Sequence, residues 1–116
     1  MSKPLGPYTP VVRAGDWLAV SGQLGLNDGV LVNGGVADET RQALANMAAL
    51  LETEGAGLAS VVKTTVFLRH MSDYAVMNDA YVDAFGETRP ARAAVGVAGL
   101  PLNALVEIEA WAYLPE

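Results

Sequence analysis

The sequence predicts an α+β fold in which about six strands form one mixed β-sheet and two α-helices cover one of its faces. Three observations carry this expectation. Segments 38–54 and 72–85 place apolar residues at the 3.6-residue period of a helix. Segments 17–23, 61–68, 91–98 and 106–113 are apolar and strand-like, bounded by turn residues. The order is strands, helix, strand, helix, strand, strand. Strands on either side of a single helix run parallel and hairpin neighbours antiparallel, so the sheet is mixed. Two helices cover only one face of such a sheet. The other face needs a different cover, and self-association is the simplest one.

The 116 residues are expected to form one domain, 1–116, since a chain of this size buries roughly two-thirds of its unfolded surface. Its 52% hydrophobic and 17% charged content marks a globular chain. Seven basic against thirteen acidic residues, net −6, oppose a phosphate-backbone surface, so no nucleic-acid partner is expected. Cysteine is absent and His70 is the lone histidine, which excludes disulfides, thiolate catalysis and zinc–thiolate sites; no metal is expected. No segment reaches the ~18 unbroken apolar residues of a membrane span. Met1-Ser2-Lys3-Pro4 lacks an apolar signal core. A soluble, cytoplasmic protein is the expectation.

In chain order, residues 1–10 hold three prolines and Gly6. Gly6-Pro7-Tyr8-Thr9-Pro10 either fixes Tyr8 on a rigid backbone or is a plain N-terminal arm. Val11-Val12-Arg13, a turn at Ala14-Gly15-Asp16 and a strand from Trp17 to Gln23 make a hairpin. Gly22, near its end, either opens main-chain N–H groups to a ligand or lets the strand exit into a loop. Residues 24–37 read as a loop with turns at Asn27-Asp28-Gly29 and Gly34-Gly35 and a short strand at Val30–Val32. The glycine pair lacks the Lys-Ser/Thr of a phosphate loop. A helix from Asp38 to Glu54 has Asp38 as N-cap and Glu39 in its first turn. It turns Thr40, Ala43, Leu44, Met47, Leu50 and Leu51 to the core and stops at Gly55-Ala56-Gly57. Val61–Leu68 is dense in β-branched residues and is expected to bury Val62, Thr64, Val66 and Leu68. His70 follows as an exposed strand-end residue. The second helix, Ser72 to Phe85, takes Ser72 as N-cap, aligns Tyr74, Met77, Tyr81 and Phe85, and closes at Gly86. Its Asn78 reads as a solvated position or a local hydrogen-bonder.

The last two strands, Ala91–Ala98 and Val106–Tyr113, are joined by Gly99-Leu100-Pro101-Leu102-Asn103. Side chains alternate along a strand, so Arg92, Ala94, Gly96 and Ala98 share one face. Glu107, Glu109, Trp111 and Tyr113 share another. Charges in strands this apolar are out of place. By spacing alone, Arg92 and Glu107 read equally as a small-anion pocket or as an ion pair closing a subunit interface. Glu109 is assigned a structural role.

Pro90-Ala91-Arg92, Leu100-Pro101 and Val106-Glu107-Ile108-Glu109-Ala110 resemble the signature of the reactive intermediate deaminase family, also called RidA or YjgF. The likeness extends to Gly6-Pro7-Tyr8, Ser21-Gly22-Gln23, Thr40 to Asn46, Val61 to Leu68, and Asn78 with Tyr81 and Phe85. The resemblance implies a chorismate-mutase-like fold and a homotrimer whose sheets close a central β-barrel, with ligand sites at subunit interfaces. It implies that Arg92 binds the substrate carboxylate and Glu107 handles water, while Tyr8, Ser21, Gly22, Asn78 and the backbone of Ala94 line the site. The chain departs from the family pattern at Thr9-Pro10, Ala93 and Ala94, where the family often has Ser-Gln, serine or threonine, and cysteine.

The implied reaction hydrolyses 2-aminoacrylate or 2-iminobutanoate type intermediates to 2-oxo acids and ammonia. The planar fork of an arginine suits a carboxylate, and a glutamate can orient water and shuttle its protons. The imine is already reactive, so no cofactor is expected. Three alternatives stand beside this one. The first is a non-catalytic trimeric small-carboxylate-binding or interaction protein, motivated by the departures. The second is a pathway-specific deaminase of a larger enamine. The third, RNA cleavage, is disfavoured by the charge.

Overall fold

The computed structural model describes residues 4–116. Both helices form on their apolar stripes, with shifted starts. The first, α1, runs Gly35–Glu52, and the second, α2, runs Tyr74–Phe85. Asp38 is not the cap of α1. Gly34 takes that place at φ 113°, a conformation open to glycine, and the helix begins three residues earlier than expected. Asp38 pairs instead with Arg41 at 3.1 Å. At the other end Gly55 (φ 79°) and Ala56 donate their N–H groups to the carbonyls of Glu52 and Leu51, the helix-stopping arrangement expected of a glycine. Ser72 does not cap α2 either. It lies in a 3₁₀ turn, Met71–Asp73, which runs straight into the helix and leaves Asp73 at the cap position.

Among the described residues seven strands form: β1 Val11–Ala14, β2 Trp17–Gln23, β3 Leu26–Asn27, β4 Val30–Leu31, β5 Val61–Leu68, β6 Ala91–Gly96 and β7 Val106–Tyr113. Five make one sheet in the order β1-β2-β7-β5-β6. Only β5 and β6 run parallel, as expected of strands joined by one helix; the other neighbours are antiparallel. The sheet is mixed as expected, with five strands in place of about six. The shortfall lies in β3 and β4, which pair with each other alone. Asp28 and Gly29 both take positive φ, 53° and 80°, and close a two-residue turn that folds the pair back on itself. β6 stops at Gly96 rather than Ala98, because its partner β5 ends at Leu68.

One sheet face meets the helices. Leu18, Val20, Val66, Leu68, Val106 and Ile108 pack there with Leu44, Met47 and Leu51 of α1 and Met77 and Tyr81 of α2. Val62 was expected on this face and is exposed instead. Val61 pairs with Ala112 and Lys63 with Trp111, so Val62 is the extra residue of a β-bulge and Val61 takes the inward place. The opposite face is uncovered. Val12, Trp17, Val95, Trp111 and Tyr113 are 41–47% exposed on it. Trp17 meets Tyr113 and Trp111 edge-on, with ring centroids 5.0 and 6.4 Å apart. Among the described residues no helix is long and apolar enough to cross a membrane.

Glu39 holds the two layers together. It is buried, and its Oε1 accepts the Leu105 N–H at 2.8 Å, tying α1 to the start of β7. Burial raises its pKa above the ordinary 4.5, against the lowering effect of that hydrogen bond, and Asp73 adds repulsion. The native state therefore holds this proton more tightly than the unfolded chain. The stabilising effect is full below the ordinary value and is lost as pH rises from there through the raised value. Glu39→Gln keeps an acceptor for Leu105 and should flatten that decline in urea titrations across pH. Glu39→Ala leaves the N–H unpaired and should cost about 1–3 kcal/mol. A Gln variant with the wild-type pH slope would remove Glu39 from this role.

Candidate functional site

β2 carries one extra residue opposite β7, since Val20 pairs with Ala110 and Gln23 with Ile108. Such bulges redirect side chains and end regular pairing. Here Ser21 and Gly22 fall in the irregular stretch, beside a cavity of about 580 Å³. Four of the expected site residues line it: Tyr8, Ser21, Gly22 and Glu107. The Ser21 N–H donates to the Pro10 carbonyl at 2.8 Å and its hydroxyl to the Thr9 carbonyl at 2.7 Å. These bonds staple the N-terminal arm to β2. Tyr8 closes a tight turn within it, its N–H donating to Gly6 and its hydroxyl accepting from the Leu5 N–H at 3.2 Å. The arm is thus a built wall of the cavity.

Gly22 is needed for lack of space. A Cβ there would meet Glu107 Oε2 at 2.7 Å. The carboxylate lies directly against the main chain of β2. Burial pushes the Glu107 pKa up, and the neighbouring Glu109 charge pushes it further. Glu109, expected to be structural, is exposed and lines the same cavity.

Asn46 of α1 was not singled out and proves central to the cavity wall. Its amide donates to the carbonyls of Leu24 at 3.1 Å and Leu26 at 2.9 Å, and its Oδ1 accepts from Gln42 at 2.9 Å. The i, i+4 spacing of Gln42 and Asn46 is the signal the sequence carries for it. Gly25 completes this contact, for a Cβ there would meet the Glu39 Cα at 2.6 Å.

Arg92 and Ala94 lie elsewhere. In register, Arg92 pairs with Thr64 and Ala94 with Val66, both on the helix-covered face. The Arg92 guanidinium carbon sits 4.9 Å from the Tyr81 ring centroid and 5.5 Å from that of Tyr74. Its Nη2 donates to the Tyr74 hydroxyl at 3.0 Å, and its Nη1 points at Met77 Sδ at 4.0 Å. Tyr81 is itself pinned, hydroxyl to hydroxyl, with Thr64 at 2.7 Å. The ion pairs among the described residues belong to Arg41, so Arg92 faces no carboxylate. Asn78, next along α2, has a buried Oδ1 without a partner.

Glu107 pairs with Phe67, on the uncovered face, and β5 stands between β6 and β7. The two strands are neighbours in sequence and not in the sheet. One chain therefore presents Arg92 and Glu107 on opposite faces and does not bring them together. Among the described residues no group of three or more acidic or histidine side chains is arranged to hold a metal.

Residues 1–114 match the family model described as endoribonuclease L-PSP. The chain is 47% identical over 113 residues to a RutC family protein of Pyrococcus horikoshii, covering 96% of this chain and 90% of that protein. It is 44% identical over 108 residues to a human 2-iminobutanoate/2-iminopropanoate deaminase, covering 91% of this chain and 79% of that one. Its structure superposes on RidA from an Antarctic Psychrobacter with a TM-score of 0.93 and 38% identity, covering 97% and 93% of the two chains.

The Glu107 environment is open to direct titration. Carboxyl-carbon NMR should find its midpoint above that of an ordinary glutamate. Glu109→Gln should lower that midpoint without restoring the ordinary value, because burial is the larger cause. A midpoint unmoved by Glu109→Gln would refute the coupling.

Proposed function

The chain belongs to the endoribonuclease L-PSP family, that of the RidA and YjgF proteins, and from this premise we propose that it is an enamine/imine deaminase. In this reading 2-aminoacrylate or 2-iminobutanoate type intermediates react with water to give 2-oxo acids and ammonia. The observation that carries it is Arg92: a guanidinium clasped between two aromatic rings and without a counter-ion. Its remaining N–H groups suit a substrate carboxylate. Glu107 positions the water. An enamine first takes a proton at its terminal carbon and gives one up from nitrogen to become the imine. Glu107 then takes a proton as the water adds to the C=N carbon and returns one to the departing amine. Its raised pKa favours such exchange nearer neutrality. Tyr8, Ser21 and Gly22 line the water-side half, and Asn78 and Ala94 the carboxylate side.

Because the two halves lie on opposite faces of one sheet, the site is assembled between copies. We assign this to a homotrimer in which the uncovered faces close a central β-barrel, the geometry the resemblance implies. The exposed Trp17, Trp111, Tyr113 and Val12 support it as an apolar contact surface. The reaction so drawn needs no cofactor. A larger enamine is the second reading, favoured by the cavity size and by Leu24, Leu26 and Leu50 in its wall. The family description names an endoribonuclease, but a net charge of −6 opposes an RNA surface.

A coupled assay tests this. A threonine dehydratase supplies 2-iminobutanoate, semicarbazide traps the imine that remains, and semicarbazone formation is followed. The wild-type protein should suppress it. Arg92→Ala should lower kcat/KM about ten- to hundredfold, the worth of a charge-assisted contact, with the fold intact. No suppression at high protein concentration would contradict imine hydrolysis.

A further inference from the structure

Arg92 is a long side chain on an edge strand whose neighbours on the same face, Ala94 and Gly96, are too small to hold it. Its orientation comes from α2. Tyr81 stacks on it from a position locked by the Thr64 hydroxyl, and this ring closes the core side. Tyr74 is different: it is 40% exposed, and its hydroxyl is the one oxygen acceptor that the guanidinium meets among the described residues. That bond fixes the rotation of the planar fork about its own axis, which stacking alone leaves free. A guanidinium has five N–H donors. One hydrogen on Nη2 goes to Tyr74, and Nη1 faces only a thioether, a weak acceptor, at 4.0 Å. The others are left for a ligand.

We propose that Tyr74 is the positioning residue of the carboxylate site, setting the fork of Arg92 so that its free N–H groups present bidentately. This rests on the reading of Arg92 as carboxylate anchor. Tyr74 acts through Arg92, so its effect falls on binding. The substrate carboxylate is held equally before and during the reaction, and such uniform binding appears in KM.

The test uses the full chain in four forms: wild type, Tyr74→Phe, Arg92→Ala and the double variant. Steady-state deamination is paired with calorimetric binding of 2-oxobutanoate. Tyr74→Phe keeps the ring and should raise KM and the 2-oxobutanoate Kd together, about tenfold, with kcat changed less than twofold. In the Arg92→Ala background the same substitution should do nothing further, because the residue it orients is gone. Wild-type KM and Kd in Tyr74→Phe, beside a crippled Arg92→Ala, would overturn the positioning role and leave the deaminase reading standing. Additive losses in the double variant would overturn it as well, since Tyr74 would then act independently of Arg92. Full activity in Arg92→Ala would overturn the reading of Arg92 and the inference with it.

Discussion

The alternation of side chains along a strand is the constraint on which the rest depends. It sends Arg92 of β6 to the helix-covered face and Glu107 of β7 to the uncovered one, with β5 between them. No rotamer change brings the two groups together within one chain. Each face then has its own logic. The helix layer gives Arg92 aromatic partners. The uncovered face surrounds Glu107 with a bulge, a glycine and an apolar strip that another copy can cover. A reaction that needs both groups thus requires two copies, and the self-association proposed from the exposed Trp17, Trp111 and Tyr113 is part of the same account.

The two halves reach readiness by different physics. For Arg92 the fold works on direction: two rings, one hydroxyl, no anion. Cation–π contacts of this kind contribute about 0.5–2 kcal/mol each and leave the N–H edges free. Glu107 is tuned by its surroundings. Partial burial against Gly22 and the nearby Glu109 both disfavour its charge, which gives its carboxylate a greater proton affinity than that of an exposed glutamate. Around it, Ser21 and Asn46 use their hydrogen bonds on backbone carbonyls, holding the arm and the β3 hairpin as walls.

What the sequence makes legible is local. The stripe of Leu44, Met47 and Leu51 predicts α1, and the crossover through α2 predicts a parallel β5–β6 pair. The family likeness supplies the candidate site residues, four of which line one cavity. Long-range pairing is hidden. Nothing in the spacing of Arg92 and Glu107 says that β5 will insert between their strands. Bulges are hidden too, and they moved Val62 outward and made Ser21 and Gly22 irregular. Glu39 looked like a charge suited to a helix start, and only the register of α1 against Leu105 shows it buried. Tyr74 and Tyr81 read as a core stripe. Their grip on Arg92 depends on a strand that pairs beside them.

Mixing two defective forms tests the central claim most directly. Arg92→Ala and Glu107→Gln would be co-expressed with different tags, and the mixed assemblies purified and assayed against each parent. If every site joins Arg92 of one copy to Glu107 of its neighbour, each mixed trimer rebuilds one intact site in three, and activity of the purified mixed assemblies should return to roughly a third of wild type. Mixed assemblies no more active than their parents would show that one chain supplies both groups, and would contradict the account.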